Sequence, residues 1–472
     1  RLVATFARGD SGAAIEDLSQ SEIRCSQELA EKFRMRLQDD KAFTLDTAQS
    51  KAVQRILDAL KSNERRVIII EGGPGSGKTI VAINAMAKAL EGNRYKVEYT
   101  TKGNAPRKDM KALLGESGTS SALNAFGEFF INPMTYYADD KRLNQKGDVR
   151  RDQEVDLIIA DEAHRLNPLE PRQTPKRKPG ETQVSDIIRV ARVAVFMIDE
   201  KQFINWKDTG SIERVIAATA KAGIPAPDQM TLPNTYRQNP RFQRWIDRVL
   251  EYPDAPDEDQ TSTTNFEGLD VQVFDDPNKM RKLIEEMNKP SSDGDRKGGR
   301  SRMLAGYCWK WISNPNKKER KELSKEELRM RQRQMDIVFP EAPGFGMQWN
   351  LDRDREHPEG WLRVPTSIGQ VGSTYVVQGL AGEYFGVIIG PDLLFRDGQV
   401  VFDPQVHIDA NDPAFIGYKS ALARDQVIAK KKAADLIRNS YRILLSRGTK
   451  GVYIYSTDEP TREYLRRMLL TS

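Results

Sequence analysis

The sequence predicts an α/β protein with two tandem, doubly wound parallel-sheet domains behind a helical N-terminal segment. The 472 residues are more than one compact core usually holds. Short apolar strands alternate with helical segments in two successive blocks, which is typical of parallel sheets covered by helices on both faces. A polar, proline-bearing stretch at 251–265 separates the blocks. We therefore expect a helical extension at 1–40, a first domain at 41–250, a linker at 251–267 and a second domain at 268–472.

Composition favours a soluble protein of a reducing compartment. Hydrophobic residues make up 38% of the chain and charged residues 30%, and no apolar run approaches the roughly 18 residues of a membrane-spanning helix. The two cysteines, Cys25 and Cys308, argue against a disulfide framework or a cysteine zinc site, so we expect a cytoplasmic location and no membrane partner. The net charge of +5 is compatible with a polyanionic partner.

The first domain opens with a predicted helix at DTAQSKAVQRILDALK, followed by the apolar strand VIIIE and a glycine-rich loop. The residues of this loop are Gly72, Gly73, Pro74, Gly75, Ser76, Gly77, Lys78 and Thr79. They match G-x-x-x-x-G-K-[ST] in full, between a strand and a helix. Backbone N–H groups of such a loop close around a polyphosphate, Lys78 reaches the terminal phosphates, and Thr79 offers a hydroxyl to Mg²⁺. The loop predicts a nucleoside triphosphate site.

Polar residues follow the next two buried-type strands. In VDLIIADEAH, Asp161 and Glu162 stand at the C-terminal end of an apolar strand, at the edge of a parallel sheet where ligands bind. Asp161 is predicted to hold Mg²⁺ against the phosphates, and Glu162 to orient or deprotonate the attacking water. In VFMIDEKQF, the apolar strand is followed by Asp199 and Gln202, and we expect Gln202 to sense the γ-phosphate.

A further segment, LPNTYRQNPRF, supplies Tyr236 and Arg237 shortly before the predicted linker. A guanidinium stabilises charge that develops on phosphoryl oxygens during transfer, which is the role predicted for Arg237. The ring of Tyr236 offers a face on which adenine can stack.

The order of these motifs resembles the superfamily 1 helicases over about residues 40–460. The segments D-E-A-H, D-x-x-Q and Y-R follow one another as they do in that family, and GSTYVVQGLAGEYFGVIIG and SYRILLSRGTKGVYIY are similar to its last two motifs. DEAH also suits superfamily 2, but D-x-x-Q and the single Arg447 in LLSRG favour superfamily 1. The segments AGYCWKW, VVQG and LLSRGTKG are closest to a bacterial group of helicase-like ATPases related to the C-terminal helicase module of Schlafen proteins.

The resemblance implies two RecA-like domains, ATP as the nucleotide, and single-stranded DNA or RNA as the partner. It places Gln49 where the family reads adenine, Gly379 at the nucleotide, and Arg447 as a second arginine finger. Residues implied to contact nucleic-acid phosphates are Thr101, Lys102, Asn104, Ser373 and Thr374. It also implies an associated or fused nuclease and a role in bacterial defence.

One position departs from the family pattern. Where the family has Q-G-x-E, whose glutamate binds the nucleotide ribose, this chain has alanine at Ala381. The nearest acid is Glu383, two residues further along the chain. A displacement of two residues changes whether its carboxylate can reach the ribose.

The sequence therefore predicts a nucleic-acid-dependent ATPase, a helicase or translocase on single-stranded DNA or RNA. The alternative is an ATP-gated nucleic-acid sensor or scaffold that separates no strands. A P-loop ATPase acting on proteins or small molecules leaves the motifs of the second domain unexplained.

Overall fold

The computed structural model divides the chain into two compact units. Unit 1 comprises the described residues up to Glu200 together with Asp208–Asn234, and unit 2 comprises Lys201–Lys207 and Thr235–Ser472. The residues that the structure describes are 45–91, 94–102, 130–136, 152–167, 182–233, 239–255, 266, 268–289, 300–315, 319–349, 361–362, 364–378 and 380–470. The predicted extension at 1–40 and the predicted site residues Asn104, Tyr236, Arg237 and Gly379 lie outside them.

Unit 1 is built on a six-stranded sheet in which every pair of neighbouring strands is parallel. The strands are β1 (Arg66–Gly72), β2 (Val97–Thr100), β3 (Phe130–Ile131), β4 (Val155–Ala160), β5 (Ala191–Ile198) and β6 (Asp228–Leu232), in the spatial order β3-β2-β4-β5-β1-β6. The strand β1 therefore lies between β5 and β6, and β4 lies beside β5, which brings the carboxyl ends of β1, β4 and β5 to one edge.

Helices cover both faces of this sheet. They are Thr47–Lys61, Lys78–Leu90, Gln183–Val190 and Ile212–Lys221, with 3₁₀ turns at Pro133–Tyr136 and Ala163–Arg165. Successive β1 side chains point to opposite faces, so Ile68 and Ile70 join the core under the first two helices while Ile69 joins the core under the last two. The continuous apolar run of β1 is the consequence of burial on both faces.

Unit 2 is built on a seven-stranded sheet in the order β7-β15-β12-β8-β11-β10-β9. Its strands are β7 (Asp270–Val273), β8 (Arg302–Ala305), β9 (Ile337–Val338), β10 (Gly346–Trp349), β11 (Gln370–Gly372), β12 (Gly382–Ile389) and β15 (Gly448–Ser456), with a separate hairpin of β13 (Leu393–Arg396) and β14 (Gln399–Phe402). All neighbours in the sheet are parallel except the antiparallel pair β9 and β10.

Helices also lie on both faces of the second sheet, which confirms the predicted fold class of two tandem, doubly wound parallel-sheet domains. The helices of unit 2 are Pro240–Val249, Pro277–Met287, Glu319–Glu322, Lys325–Arg331, Thr374–Val377, Pro404–Asp409, Tyr418–Arg424, Gln426–Leu445 and Glu459–Leu470, with 3₁₀ turns at Pro365–Gly369 and Pro413–Phe415. Within the described residues, no helix is long and apolar enough to cross a membrane.

The division between the units falls earlier than residue 250, where the sequence analysis ended the first domain. The helix Pro240–Val249 belongs to unit 2 because its aromatic side chains are buried in that unit's core. Phe242 stacks on Trp245 with ring centroids 5.3 Å apart, and Trp245 Nε1 donates to the carbonyl of Met468 at 3.0 Å. The division between the units therefore precedes the polar stretch at 251–265.

The segment Lys201–Lys207, which the sequence analysis also assigned to the first domain, packs into unit 2. Trp206 donates its backbone N–H to the carbonyl of Ala414 at 2.8 Å and accepts from Lys432 Nζ at 2.9 Å. Asn439 Nδ2 donates to the carbonyl of Phe203 at 2.9 Å. These contacts join residues far apart in the chain, which a linear pattern does not reveal.

Candidate functional site

The glycine-rich loop at the end of β1 has a backbone that only glycine adopts without strain at two positions. Gly75 has φ +77° and Gly77 has φ +84°, in the left-handed region. Gly77 is the N-cap of the helix Lys78–Leu90, and a Cβ added there would lie 2.2 Å from Gln49 Nε2. The loop thus leads directly into a helix N-terminus, the backbone arrangement that binds phosphate.

Two side chains of the loop are suited to an anionic ligand. Lys78 is 7% exposed, and its Nζ donates to the carbonyls of Gly72 and Gly73 at 2.5 and 3.1 Å. Ser76 is 2% exposed, and its Oγ has no hydrogen-bond partner among the described residues. A buried hydroxyl without a partner is costly, so a ligand oxygen near Ser76 would satisfy it. These features fit a bound triphosphate.

Gln49 supports this loop from the preceding helix. Its Nε2 donates to the carbonyl of Ser76 at 3.0 Å, and its Oε1 accepts from the backbone N–H of Asp46 at 3.0 Å. Asp46 Oδ1 in turn accepts from the backbone N–H of Gln49, which completes a capping box. The side chain is 2% exposed, and these bonds use one of its two N–H donors and one of its two acceptor positions. The adenine contact of Gln49 stays a prediction.

Asp161 joins the end of β4 to the phosphate loop. Its Oδ2 accepts from Thr79 Oγ1 at 2.9 Å and from the Tyr99 hydroxyl at 2.7 Å. Burial raises the pKa of Asp161, as does the charge of Glu162, while hydrogen bonds from Tyr99 and Thr79 act against this rise. The adjacent Thr79 and Asp161 oxygens are the donor types that Mg²⁺ prefers, so they fit the predicted metal.

Glu162 follows Asp161 in a left-handed conformation with φ +51° and ψ +41°. Such a conformation costs free energy in a residue other than glycine and is frequent at active sites. The fully buried His164 places Nε2 3.0 Å from Glu162 Oε2, and its Nδ1 accepts from the backbone N–H of Asp199 at 3.4 Å. Burial acts to raise the pKa of Glu162, but His164 and Lys78 outweigh it and hold this pKa well below the ordinary value. Glu162 is therefore ionised at neutral pH.

Two residues of unit 1 that contact the acid pair, Tyr99 and His164, were not singled out from the sequence. Tyr99 was passed over within the strand KVEYTTK, although β2 lies beside β4 and its hydroxyl reaches Asp161. Burial and the Asp161 carboxylate raise the pKa of Tyr99 well above its ordinary value, so it stays a hydrogen-bond donor. His164 was given no role, although its place two residues after Glu162 was the available signal.

The predicted nucleic-acid contacts of unit 1 are only partly at the surface. Thr101 is 2% exposed and its Oγ1 is buried, so this hydroxyl is not placed for a surface phosphate contact. Lys102 is exposed at the end of β2. The contact of Lys102 with a phosphate backbone stays a prediction.

In unit 2 the predicted nucleotide-contacting residues are buried. Gln202 is 3% exposed, and its carbonyl accepts from Gln378 Nε2 at 3.4 Å. Arg447 is 1% exposed, and its guanidinium donates to nearby oxygens of unit 2. These are the carbonyls of Ile443 and Leu380, at 2.8 and 3.2 Å, and Ser446 Oγ, at 3.0 Å. The roles of Gln202 as sensor and Arg447 as arginine finger stay predictions.

The remaining predicted positions of unit 2 lie near the ends of β11 and β12. Ser373 and Thr374 are 1% and 6% exposed, and they follow β11 directly. Glu383, the acid nearest to Ala381, lies on β12, and its Oε1 accepts from Lys450 Nζ at 2.5 Å on the neighbouring strand β15. This pairing makes Glu383 a weak substitute for the glutamate that Ala381 replaces.

Comparison with known proteins gives one family and several distant structures. A family model described as Schlafen group 3, DNA/RNA helicase domain, matches residues 65–458. The uncharacterised protein YPL245W of Saccharomyces cerevisiae is 24% identical over 463 residues, which cover 90% of this chain and 91% of the yeast protein. The Pif1 helicase from Candida albicans aligns with a TM-score of 0.34 and 11% identity, over 90% of this chain and 98% of its own. The DUF1998 helicase MrfA bound to DNA aligns with a TM-score of 0.35 and 11% identity, over 93% of this chain and 53% of its own.

Proposed function

Because the chain belongs to the Schlafen group 3 DNA/RNA helicase-domain family, we propose that it is a nucleic-acid-dependent ATPase that translocates on single-stranded DNA or RNA in the manner of superfamily 1 helicases. Membership of this family confirms the Schlafen-related helicase resemblance predicted from the sequence. The observation that carries the proposal is the junction of the phosphate loop with the acid pair, where Thr79 Oγ1 donates to Asp161 Oδ2 at 2.9 Å and Glu162 follows.

Different residues of unit 1 have different roles in ATP hydrolysis. The loop N–H groups and Lys78 bind the phosphates, and Thr79 with Asp161 would hold Mg²⁺, which when bound neutralises charge on the phosphate oxygens. Glu162 is ionised, so it orients the attacking water and accepts its proton. His164 fixes the direction of the Glu162 carboxylate through the 3.0 Å contact of its Nε2.

Further roles follow from motif order within the family. We assign γ-phosphate sensing to Gln202 and stabilisation of the transition-state charge to Arg237 and Arg447. We assign the adenine contacts to Tyr236 and Gln49. Exposed Lys102 is assigned to the phosphate backbone, and salt should therefore weaken polynucleotide binding.

A second function, an ATP-gated sensor that separates no strands, is favoured by one observation. Ala381 lacks a carboxylate, and Glu383 is already paired with Lys450, so unit 2 offers no evident acid for the ribose at this position among the described residues. Loss of that contact would loosen the link between nucleotide binding and movement. Strand displacement measured beside ATP turnover separates the two functions, because a sensor hydrolyses ATP without displacing strands.

The primary test is steady-state ATP turnover with and without single-stranded DNA and RNA, using Glu162→Gln as the matched variant. The substitution keeps the size of the side chain but removes the base, so we expect turnover to fall about 100-fold or more. Binding of a fluorescent ATP analogue should persist in Glu162→Gln and be lost in Lys78→Ala. Unchanged turnover in Glu162→Gln, or the absence of any response to either polymer, would refute the proposal.

A further inference from the structure

A small polar cavity in unit 2 lies where topology predicts a ligand. The chain leaves β8 toward β11 on one side of the sheet and leaves β12 toward β15 on the other, although β8 and β12 are neighbours. Ligands of open α/β sheets bind outside the carboxyl ends of the strands at such a switch point. The cavity is lined by Tyr307, which follows β8, by Ser373 and Thr374, which follow β11, and by His407, Asp412 and Ser440. We refer to it as the switch-point cavity.

Two residues that line the switch-point cavity, His407 and Asp412, belong to a buried ion network. His407 Nδ1 lies 2.8 Å from Asp412 Oδ2, and its Nε2 lies 3.0 Å from Asp392 Oδ2. Asp392 Oδ1 also accepts from the Tyr441 hydroxyl. Burial acts to lower the pKa of His407, but the two carboxylates outweigh it and raise this pKa to about 9. One imidazolium between two carboxylates leaves the network with a net negative charge.

The size and charge of the switch-point cavity select one kind of chemical group. Its volume is about 10 Å³, which is room for one water-sized group. The net negative charge of the network disfavours an anion. Ser440 Oγ donates its proton to the carbonyl of Leu436 at 2.9 Å, so toward the cavity it can only accept. A neutral hydroxyl, which donates to Ser440 and accepts from Thr374, meets all of these conditions.

We propose that the switch-point cavity binds the 2′-hydroxyl of a ribonucleotide, so that the preferred polymer of this protein is RNA. The proposal rests on the proposed function, because a polynucleotide must pass over unit 2 for the cavity to be used. It replaces the sequence-based expectation that Ser373 and Thr374 hold a phosphate. The 2′-hydroxyl is the group by which a protein distinguishes RNA from DNA at a single position.

The test compares single strands of one sequence made as RNA, DNA and 2′-fluoro-RNA, measured as the polymer concentration that half-maximally stimulates ATP turnover of the full chain. The 2′-fluoro polymer keeps an RNA-like sugar but cannot donate, so it isolates the hydrogen bond. Because one such bond contributes on the order of 1 kcal/mol, RNA should act at about five- to tenfold lower concentration than either of the other polymers. Equal potency of RNA and 2′-fluoro-RNA would overturn the proposal and leave the cavity to an ordered water.

Ser440→Ala locates the effect. It removes the acceptor, so the advantage of RNA over DNA should shrink to about twofold or less, while Ser420→Ala, an exposed serine of the same unit, should leave that advantage intact. An RNA preference that persists in Ser440→Ala would place the discrimination elsewhere and overturn the assignment. Stimulation by DNA alone would refute the RNA preference but leave the proposed function standing, whereas no response to either polymer would refute both.

Discussion

Both units place an aspartate, a tyrosine and a histidine near the carboxyl end of a central strand, but they use them differently. In unit 1 the Tyr99 hydroxyl donates to Asp161, which follows β4, at 2.7 Å. In unit 2 the Tyr441 hydroxyl donates to Asp392, beyond the end of β12, at 2.5 Å. Each tyrosine is fully buried, and burial raises the pKa of Tyr99 and of Tyr441 well above the ordinary value. The same donor and acceptor pair therefore occurs twice.

The difference lies in what the second oxygen and the histidine contact. Asp161 also accepts from Thr79 of the phosphate loop, and His164 faces the neighbouring Glu162. Asp392 instead contacts Nε2 of His407, and Asp412 contacts the other ring nitrogen of the same histidine. The first cluster places Asp161 in contact with the phosphate loop, whereas the second pairs two carboxylates with one buried imidazole. We therefore expect substitutions in the first cluster to change turnover and substitutions in the second cluster to change stability.

The largest expected effect is on unit 2. His407→Leu keeps a side chain of similar volume but leaves Asp392 and Asp412 as buried carboxylates without their shared cation. Removing one partner of a buried ion pair costs about 3–5 kcal/mol of unfolding free energy. Urea unfolding of the full chain, followed by a probe in each unit because two-domain chains need not unfold in one step, should show the loss in the unit 2 transition. Lys419→Ala, an exposed neighbour, is the control.

An unchanged unit 2 transition in His407→Leu would show that the network contributes no net stability. The expectation that the second cluster acts on stability would then be wrong.

The second-largest expected effect is the pH dependence of the stability of unit 2, which comes from His407. Because the pKa of His407 is raised to about 9 from an ordinary 6.5, its contribution is full below pH 6.5 and is lost as pH rises through 9. That loss amounts to roughly 3 kcal/mol. The groups around the ring are Asp392 and Asp412, with Tyr441 and Cys308 beyond Asp392 and Tyr307 near Asp412. Burial raises the pKa of these tyrosines and of the Cys308 thiol, so they stay neutral in this range.

Unfolding midpoints of unit 2, measured between pH 6 and pH 10, should therefore fall in the wild type and be nearly flat in His407→Leu. Parallel slopes in the two proteins would contradict the assignment of this slope to His407.

His164→Ala should have a somewhat smaller effect, and in turnover rather than stability. Without the ring, the Glu162 carboxylate loses the contact that fixes its direction, so we expect kcat to fall about ten- to hundredfold with KM nearly unchanged. His164→Gln supplies an amide N–H donor in place of the imidazole Nε2 that contacts Glu162. It should therefore recover part of kcat, which a purely structural role would not predict. A loss confined to KM, or to thermal stability, would exclude a positioning role for His164.

These clusters also differ in how much of them the sequence could reveal. Asp161, Glu162 and His164 are adjacent in D-E-A-H, and Lys78 with Thr79 belongs to a fixed-spacing loop, so a linear pattern predicts the junction that the structure shows. Asp392, His407, Asp412 and Tyr441 come from separate elements and meet only through packing.

The division into units could not be predicted from the sequence for a similar reason. The apolar stripe of Pro240–Val249 predicts that the helix is buried but not against which sheet, and burial of Trp245 in the core of unit 2 decides it. The fold class, by contrast, follows from strand and helix alternation that is local in the chain.

The smallest effect, and the sharpest comparison, comes from removing one hydroxyl in each unit. Tyr99→Phe deletes a donor to Asp161, so about fivefold more Mg²⁺ should be needed for half-maximal turnover, which corresponds to about 1 kcal/mol. Tyr441→Phe deletes the matching donor to Asp392 and should lower the unfolding free energy of unit 2 by about 1 kcal/mol, with the Mg²⁺ requirement unchanged. Because the two substitutions are chemically identical, a difference between their phenotypes cannot be attributed to the size of the change. If both substitutions alter only stability, the Tyr99–Asp161 hydrogen bond contributes to stability alone, as the Tyr441–Asp392 hydrogen bond does in unit 2.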